Sequence, residues 1–255
     1  MRDRLILDFD LGNSRAKWRL SRIAVDEKDS TDSVQQLETI RFGANSYDFD
    51  SDFQELENVD RIRIGSVVGD DRLNSLLNLC ESRWQITPEI AMVREEWGGV
   101  RQGYRDKTRL GVDRWLALLA AYQSHKNGCV VVSCGSAVTV DLLAANGHHL
   151  GGYILPGIEL MRKALFAGTN AVKLDAIAIP SKLEPGRDTV DAVNVGLPLM
   201  IKGVVEQALR QLEDAGGEKV LLLTGGDGEA LSPLFQAQCE YNPFLVLDGL
   251  RVALP

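Results

Sequence analysis

One pattern of apolar and polar positions occurs twice in this chain. In LILDFDLGNSRAKWRL, residues 5–20, the apolar run over 5–10 reads as a buried strand. Gly12-Asn13-Ser14 is turn chemistry, and Ala16–Ile23 reads as the returning strand. In VVVSCGSAVTVDLL, residues 130–143, a β-branched run predicts strand 129–134, a turn through small residues at Gly135 and a second apolar strand. A turn at Asn146-Gly147 and an apolar run through Gly151-Gly152-Tyr153-Ile154 extend this copy.

The rest of the pattern fills in two similar halves. Residues 26–60 are polar and acidic with short apolar runs such as Leu37–Phe42, and read as strands and connections. Arg61–Val68 predicts a further strand, and Asp70–Arg83 carries Leu73, Leu76, Leu77 and Cys80 at helical spacing. Glu95–Arg109 has no period, is rich in glycine and cations, and reads as a loop. From Asp113 the leucine and alanine density predicts a strong helix over 113–126, stopped by Asn127-Gly128. Residues 157–167 read as a helix, 168–188 as a connection, and Thr189–Ala215 as a long helix interrupted by Gly196 and Pro198. KVLLLTGGDGEALSPLF reads as strand, glycine turn and helix, and FLVLDGLRVAL closes the chain. The order predicts an α/β protein of two related halves, with a boundary near the 113–126 helix.

Composition narrows the class. With 255 residues the chain is long enough for one large domain or two smaller ones. Its formal net charge of −8 speaks against non-specific nucleic-acid or anionic-membrane binding, which needs a basic face. The four cysteines form no C-x-x-C pair and only three histidines occur, so neither a zinc site nor a disulfide framework is expected. The start, MRDRLILDFD, has no signal-type apolar region, and no apolar run approaches a membrane span. The expectation is a reduced, cytoplasmic protein.

Candidate chemistry gathers at the two hairpins. Gly12 lets backbone N–H groups approach an anion, Asn13 and Ser14 offer donors, Lys17 a cation, and Asp10 a carboxylate for hydrated Mg²⁺. The same residues also suit a solvated turn. Gly135, Ser136 and Thr139 repeat the glycine and hydroxyls in the second hairpin, and the pair together suggests a nucleotide clamp. Asp113 suits either a helix N-terminus or a general base, with Arg114 beside it for an anionic group. Arg101, Arg105, Lys107 and Arg109 surround Tyr104, as an anion-drawing cluster or a solvated loop. Thr224-Gly225-Gly226-Asp227 follows an apolar strand and permits close approach, or is simply a tight turn. His148-His149 reads as a solvated pair on a hairpin turn.

The chain resembles the type III pantothenate kinases, a family that includes the Bvg accessory factor proteins. The resemblance rests on D-L-G-N-S-R-A-K at 10–17, G-Y-R-D at 103–106, G-V-D-R-W at 111–115, C-G-S-A-V-T-V-D-L at 134–142, L-G-G-Y-I-L-P-G at 150–157 and L-T-G-G-D at 223–227. It implies the ASKHA fold: two RNase H-like domains, here 1–117 and 118–255, with a nucleotide cleft between them. It implies ATP-dependent phosphorylation of pantothenate to 4′-phosphopantothenate, at the entry to coenzyme A synthesis, by a homodimer.

Carried over by position, the resemblance makes Asp10, Leu11, Gly12, Asn13, Ser14, Arg15, Ala16 and Lys17 the first phosphate loop, with Asp10 near Mg²⁺ and Ser136 contacting ATP. It makes Asp113 the base, with Tyr104, Gly111, Val112, Arg114 and Thr189 as substrate contacts. One departure stands out. The family usually has D-x-G-T where this chain has S-C-G-S, so Ser133 replaces an aspartate that helps bind a monovalent cation, K⁺ or NH₄⁺. A hydroxyl is a neutral, weaker ligand. Whether backbone and water hold the cation, its need is relaxed, or activity is low or lost stays open. The alternative functions are a non-catalytic accessory factor-like regulator, supported by Ser133 alone, and an ASKHA kinase for another small molecule.

Overall fold

The structure is a computed structural model that describes residues 4–23, 37–45, 47, 49, 52–167, 179–180, 182–235 and 238–255. The readings made for 26–36 and 168–178 lie outside the described residues. Twelve strands and six α-helices follow one another along the described chain: β1 (Arg4–Leu11), β2 (Ala16–Ile23), β3 (Leu37–Asn45), β4 (Arg61–Ser66), α1 (Asp70–Trp84), β5 (Glu89–Ile90), β6 (Glu96–Trp97), β7 (Val100–Arg101), α2 (Val112–Ser124), β8 (Cys129–Cys134), β9 (Ala137–Leu143), β10 (His149–Pro156), α3 (Ile158–Phe166), α4 (Thr189–Asp214), β11 (Val220–Thr224), α5 (Gly228–Leu231), β12 (Gln238–Tyr241) and α6 (Leu245–Ala253).

The chain forms two compact units. The first is drawn from Met1–Val93, Leu110–Leu116 and Val246–Pro255, the second from Arg94–Arg109 and Ala117–Leu245. Each holds a five-stranded sheet, ordered β3-β2-β1-β4-β5 in the first and β10-β9-β8-β11-β12 in the second. In each, an antiparallel meander of three strands is followed by two parallel strands added at the other side of the first strand. The pattern written twice in the sequence is therefore one topology built twice.

In the first unit β1 pairs β2 along its length, from Arg4 opposite Ile23 to Leu11 opposite Ala16. Leu7, Phe9 and Leu11 point to one core with Trp18, Leu20, Ile62 and Ile64, closed by Leu76, Cys80 and Trp84 of α1. The alternation puts Asp8 and Asp10 on the opposite face, with cross-strand neighbours sharing that face. There the Asp8 carboxylate, fully buried, accepts from Arg63 Nε at 2.7 Å and lies 3.5 Å from an Arg19 nitrogen. Arg19 also pairs with Asp248 of α6 at 2.5 Å, and Arg63 donates to the Leu254 carbonyl at 3.1 Å. Buried charge of this kind persists only when neutralised, and this network ties α6 to the sheet.

In the second unit Val130, Val132, Val138 and Val140 meet Ile201, Val205, Leu209 and Leu212 of α4. Those four recur at intervals of three and four, the single buried stripe of an amphipathic helix. Asp188 caps α4 by accepting from the Asp191 N–H at 2.8 Å. The interruption expected at Gly196 and Pro198 does not occur, and α4 runs through both. Pro198 costs one backbone hydrogen bond, but it is buried on the stripe between Leu197 and Ile201, and packing holds the turn. The segment 95–109, expected as loop throughout, contains the short hairpin β6–β7. His149 is fully buried, contrary to the solvated reading, and its pairing with Asp141 is the reason.

Candidate active site

The first unit brings Asp10, Lys17 and Asp113 into one electrostatic neighbourhood. Asp10 lies opposite Lys17 on β2 and Gly65 on β4. A Cβ on Gly65 would stand 2.6 Å from Leu116 Cδ1, so a glycine there lets α2 close onto this face. A Cβ on Gly249 would stand 2.0 Å from the Leu116 carbonyl oxygen, so α6 also lies directly against the α2 backbone. The start of α2, with Asp113 in its first turn, is thereby held over the row that contains Asp10. Burial raises the Asp10 carboxyl from 3.8 to about 6; Lys17 pulls it down and Asp113 pushes it up again.

Asp113 is half-buried, and its Oδ1 accepts from the Arg114 N–H at 2.8 Å. That oxygen stands 2.6 Å from where a Cβ on Gly111 would be, so residue 111 leaves the carboxylate room. Val112 and Arg114 are buried beside it. The residues are those of a helix N-terminus, and they aim a carboxylate with a fixed orientation.

The turn after Asp10 is closed by the Gly12 N–H donating to the Arg15 carbonyl at 3.1 Å. The Tyr47 hydroxyl donates to the Gly12 carbonyl, and Arg72 donates to the Asn13 carbonyl at 2.6 Å. The Arg72 guanidinium sits 4.5 Å from the Tyr47 ring centroid. Two loop carbonyls are thus occupied by protein donors, while Asn13, Ser14 and Arg15 are exposed. Leu11 and Ala16 are fully buried and anchor the turn from below. Tyr47 and Arg72 were missed by sequence reasoning. They lie 35 and 59 positions from their loop partners, and nothing local marks them.

The second unit holds the remaining candidates. The β8–β9 turn is closed by the Gly135 N–H on the Ala137 carbonyl at 3.1 Å, and Ser136 is exposed at its tip. A Cβ on Gly157 would stand 2.2 Å from the Gly135 carbonyl oxygen. Gly225 has φ +91° and would carry a Cβ 2.3 Å from the Cys134 carbonyl oxygen, so the T-G-G-D turn packs on the end of β8. Ser133 lies between Thr139 on β9 and Thr224 on β11. Thr189 opens α4 and is exposed. Tyr104 is half-buried, its ring 5.9 Å from that of His149 at an interplanar angle of 20°.

The repeated topology defines a class: the two-domain ASKHA fold of sugar kinases and actin-like ATPases. A Campylobacter jejuni protein assigned to the Baf family of transcriptional activators shares it, with TM-score 0.60 over 96% of this chain and 95% of that one, at 24% identity. A Listeria monocytogenes protein assigned as an N-acetylmannosamine kinase superposes with TM-score 0.50 over 96% of this chain and 97% of that one, at 12% identity. Within the class the family is defined by sequence. The type III pantothenate kinase family model matches residues 6–211. A type III pantothenate kinase of Chromohalobacter salexigens is 38% identical over 98% of this chain and 88% of its own length. One of Pseudomonas aeruginosa is 37% identical over 98% and 99%. The chain belongs to the type III pantothenate kinase family, and is a kinase.

Proposed function

We propose that the chain phosphorylates pantothenate with ATP, giving 4′-phosphopantothenate for coenzyme A synthesis. The observation that carries the reading is the Asp10–Lys17–Asp113 neighbourhood, in a chain of this family. Asp113 takes the proton of the pantothenate hydroxyl as its oxygen bonds to the γ-phosphorus and the bond to ADP breaks. Its Oδ1 is held by the Arg114 amide, which fixes the direction of approach. Gly111, Val112, Arg114, Tyr104 and Thr189 contact pantothenate in this reading. The turn from Asp10 to Lys17 and Ser136 contact ATP. The pinned carbonyls of Gly12 and Asn13 hold that turn in one conformation, and Lys17 neutralises phosphate charge.

The residues fit a magnesium ion. A half-buried carboxylate raised to about 6 by desolvation, with a second carboxylate acting on it, gains from a divalent cation. Asp10 would hold it, and the ion would neutralise the phosphates and orient them. The residues offer a monovalent cation a weaker site than a carboxylate at 133 would give. Thr139, Ser133 and Thr224 line up across three strands, and Thr224 Oγ1 is buried without a hydrogen-bond partner among the described residues. The row offers oxygens and no charge. Turnover is therefore read as only weakly dependent on K⁺, with Ser133→Asp expected to strengthen the dependence.

A homodimer is part of the same reading. Ile154 of β10, Leu160 and Leu165 of α3, and Leu199 and Met200 of α4 are exposed, Ile154 at 62%. Apolar side chains in that number on adjoining elements favour a second copy. No helix among the described residues is long and apolar enough to cross a membrane.

The test is ADP release with pantothenate, ATP and Mg²⁺, with K⁺ present or replaced by a large organic cation. Asp113→Asn should lower kcat by about 10³-fold or more with the fold intact by circular dichroism. An unchanged rate would remove Asp113 from its role. No ADP release from the unmodified chain would remove the pantothenate reading.

A further inference from the structure

Tyr104 is carried by a small loop of the second unit that is locked in place at several points. Gln102, almost fully buried, donates from Nε2 to the Lys107 carbonyl at 2.8 Å, and Lys107 Nζ donates to the Gln102 carbonyl at 2.8 Å. These reciprocal bonds close the loop across its own neck. The Arg101 N–H donates to the Gly147 carbonyl at 2.9 Å, which registers the loop against the turn before β10. A Cβ on Gly103 would stand 1.8 Å from the His149 carbonyl oxygen, so the backbone at 103 lies directly against β10.

Under the Tyr104 ring lies His149, with no exposed surface, and behind it the buried Asp141. His149 Nε2 is 2.8 Å from Asp141 Oδ1. On its other side the Gly103 N–H points to His149 Nδ1 at 3.5 Å. An amide N–H can only donate, so Nδ1 accepts and the ring proton sits on Nε2, donating to Asp141. The imidazole is held at both nitrogens, and its face is presented to Tyr104. If the space needed only filling, an apolar side chain would fill it without burying a carboxylate, which costs free energy unless paired. A buried carboxylate–imidazole pair instead fixes one ring orientation.

We propose that His149, oriented by Asp141, is a positioning residue that sets the Tyr104 ring for pantothenate. The proposal rests on the reading that Tyr104 contacts that substrate. His149 acts through Tyr104 and touches no reacting atom.

The test is a kinetic cycle on the full chain: unmodified, His149→Gln, Tyr104→Ala and both together. Glutamine keeps an N–H for Asp141 and removes the ring beneath Tyr104. The expected result is a KM for pantothenate raised roughly 10-fold in His149→Gln, with KM for ATP unchanged. Adding His149→Gln to Tyr104→Ala should raise it no further. An equal rise in both backgrounds, or a matching rise in KM for ATP, overturns the proposal. Should His149→Gln fail to fold, Asp141→Asn takes its place in the cycle, with a smaller effect of the same kind expected and additivity again overturning it. If the unmodified chain turns over no pantothenate, the function reading falls by itself. The ring contact is then read from 3-fluorotyrosine at position 104, assigned with Tyr104→Phe. A fluorine resonance displaced by His149→Gln supports the positioning, and an unmoved one overturns it.

Discussion

Asp8 and Asp10 are two residues apart on one strand and one face, yet they do different work. Asp8 is neutralised by Arg63 and Arg19 and serves the fold. Asp10 has Lys17 for a cation but is desolvated beside Asp113, and its carboxyl rises to about 6. A raised carboxyl stabilises the folded state when protonated. That contribution is complete below 3.8 and is lost as pH rises through about 6. Asp10→Asn should therefore stabilise the ligand-free protein at pH 8 by about 1–3 kcal/mol and change little near pH 4. Urea denaturation across that range checks it. On the proposal that Asp10 holds the magnesium ion, turnover should run the other way, falling as pH drops through about 6, because a protonated carboxyl is a poor ligand. A pH–rate profile of kcat/KM reads this directly.

At the scale of elements, glycine decides how closely helices approach the first sheet. Gly65 admits Leu116, and Gly249 admits the α2 backbone. Gly249→Ala should destabilise the fold by about 2 kcal/mol or more, because the clash is with a carbonyl that side-chain rotation cannot relieve. It should also lower turnover at temperatures where the variant remains folded, since α2 carries Asp113. Denaturation midpoints and initial rates separate the two effects. The long helix α4 makes the complementary point. Propensity alone breaks it at Pro198, and burial of Leu197, Pro198 and Ile201 keeps it whole.

At the scale of the molecule, one topology built twice accounts for the repeated hairpin, and each copy has specialised. The first keeps carboxylates and a cation at its tip: Asp10, Lys17 and, from α2, Asp113. The second has hydroxyls there: Ser133, Thr139 and Thr224. The exposed apolar side chains of β10, α3 and α4 lie in the second unit. Sedimentation equilibrium is expected to give a mass near twice the 28.0 kDa of the chain, and Met200→Glu to shift it toward the monomer. A monomeric unmodified chain would remove the dimer from the reading.

Much of this was legible locally. Strand alternation over 5–10 and 16–23, the β-branched run at 129–134 and the three-and-four spacing in 70–83 place β1, β2, β8 and α1 within two residues of their ends. Periodicity suffices there because each element buries one face whatever lies opposite. The ordered motifs named Asp10, Lys17 and Asp113, three groups that the fold makes electrostatic neighbours. What the sequence could not contain is which distant groups meet. Tyr47 and Arg72 pin a turn 35 and 59 positions away, and α6 packs on α2 from the far end of the chain. His149, polar and next to a turn, reads as solvated by every local rule. Only the pairing of β10 with β9 and the docking of the 101–104 backbone bury it against Asp141 and beneath Tyr104. Local pattern determines which face of an element seeks the core. The partners that a buried polar group finds there depend on long-range packing, and that is decided only in the folded chain.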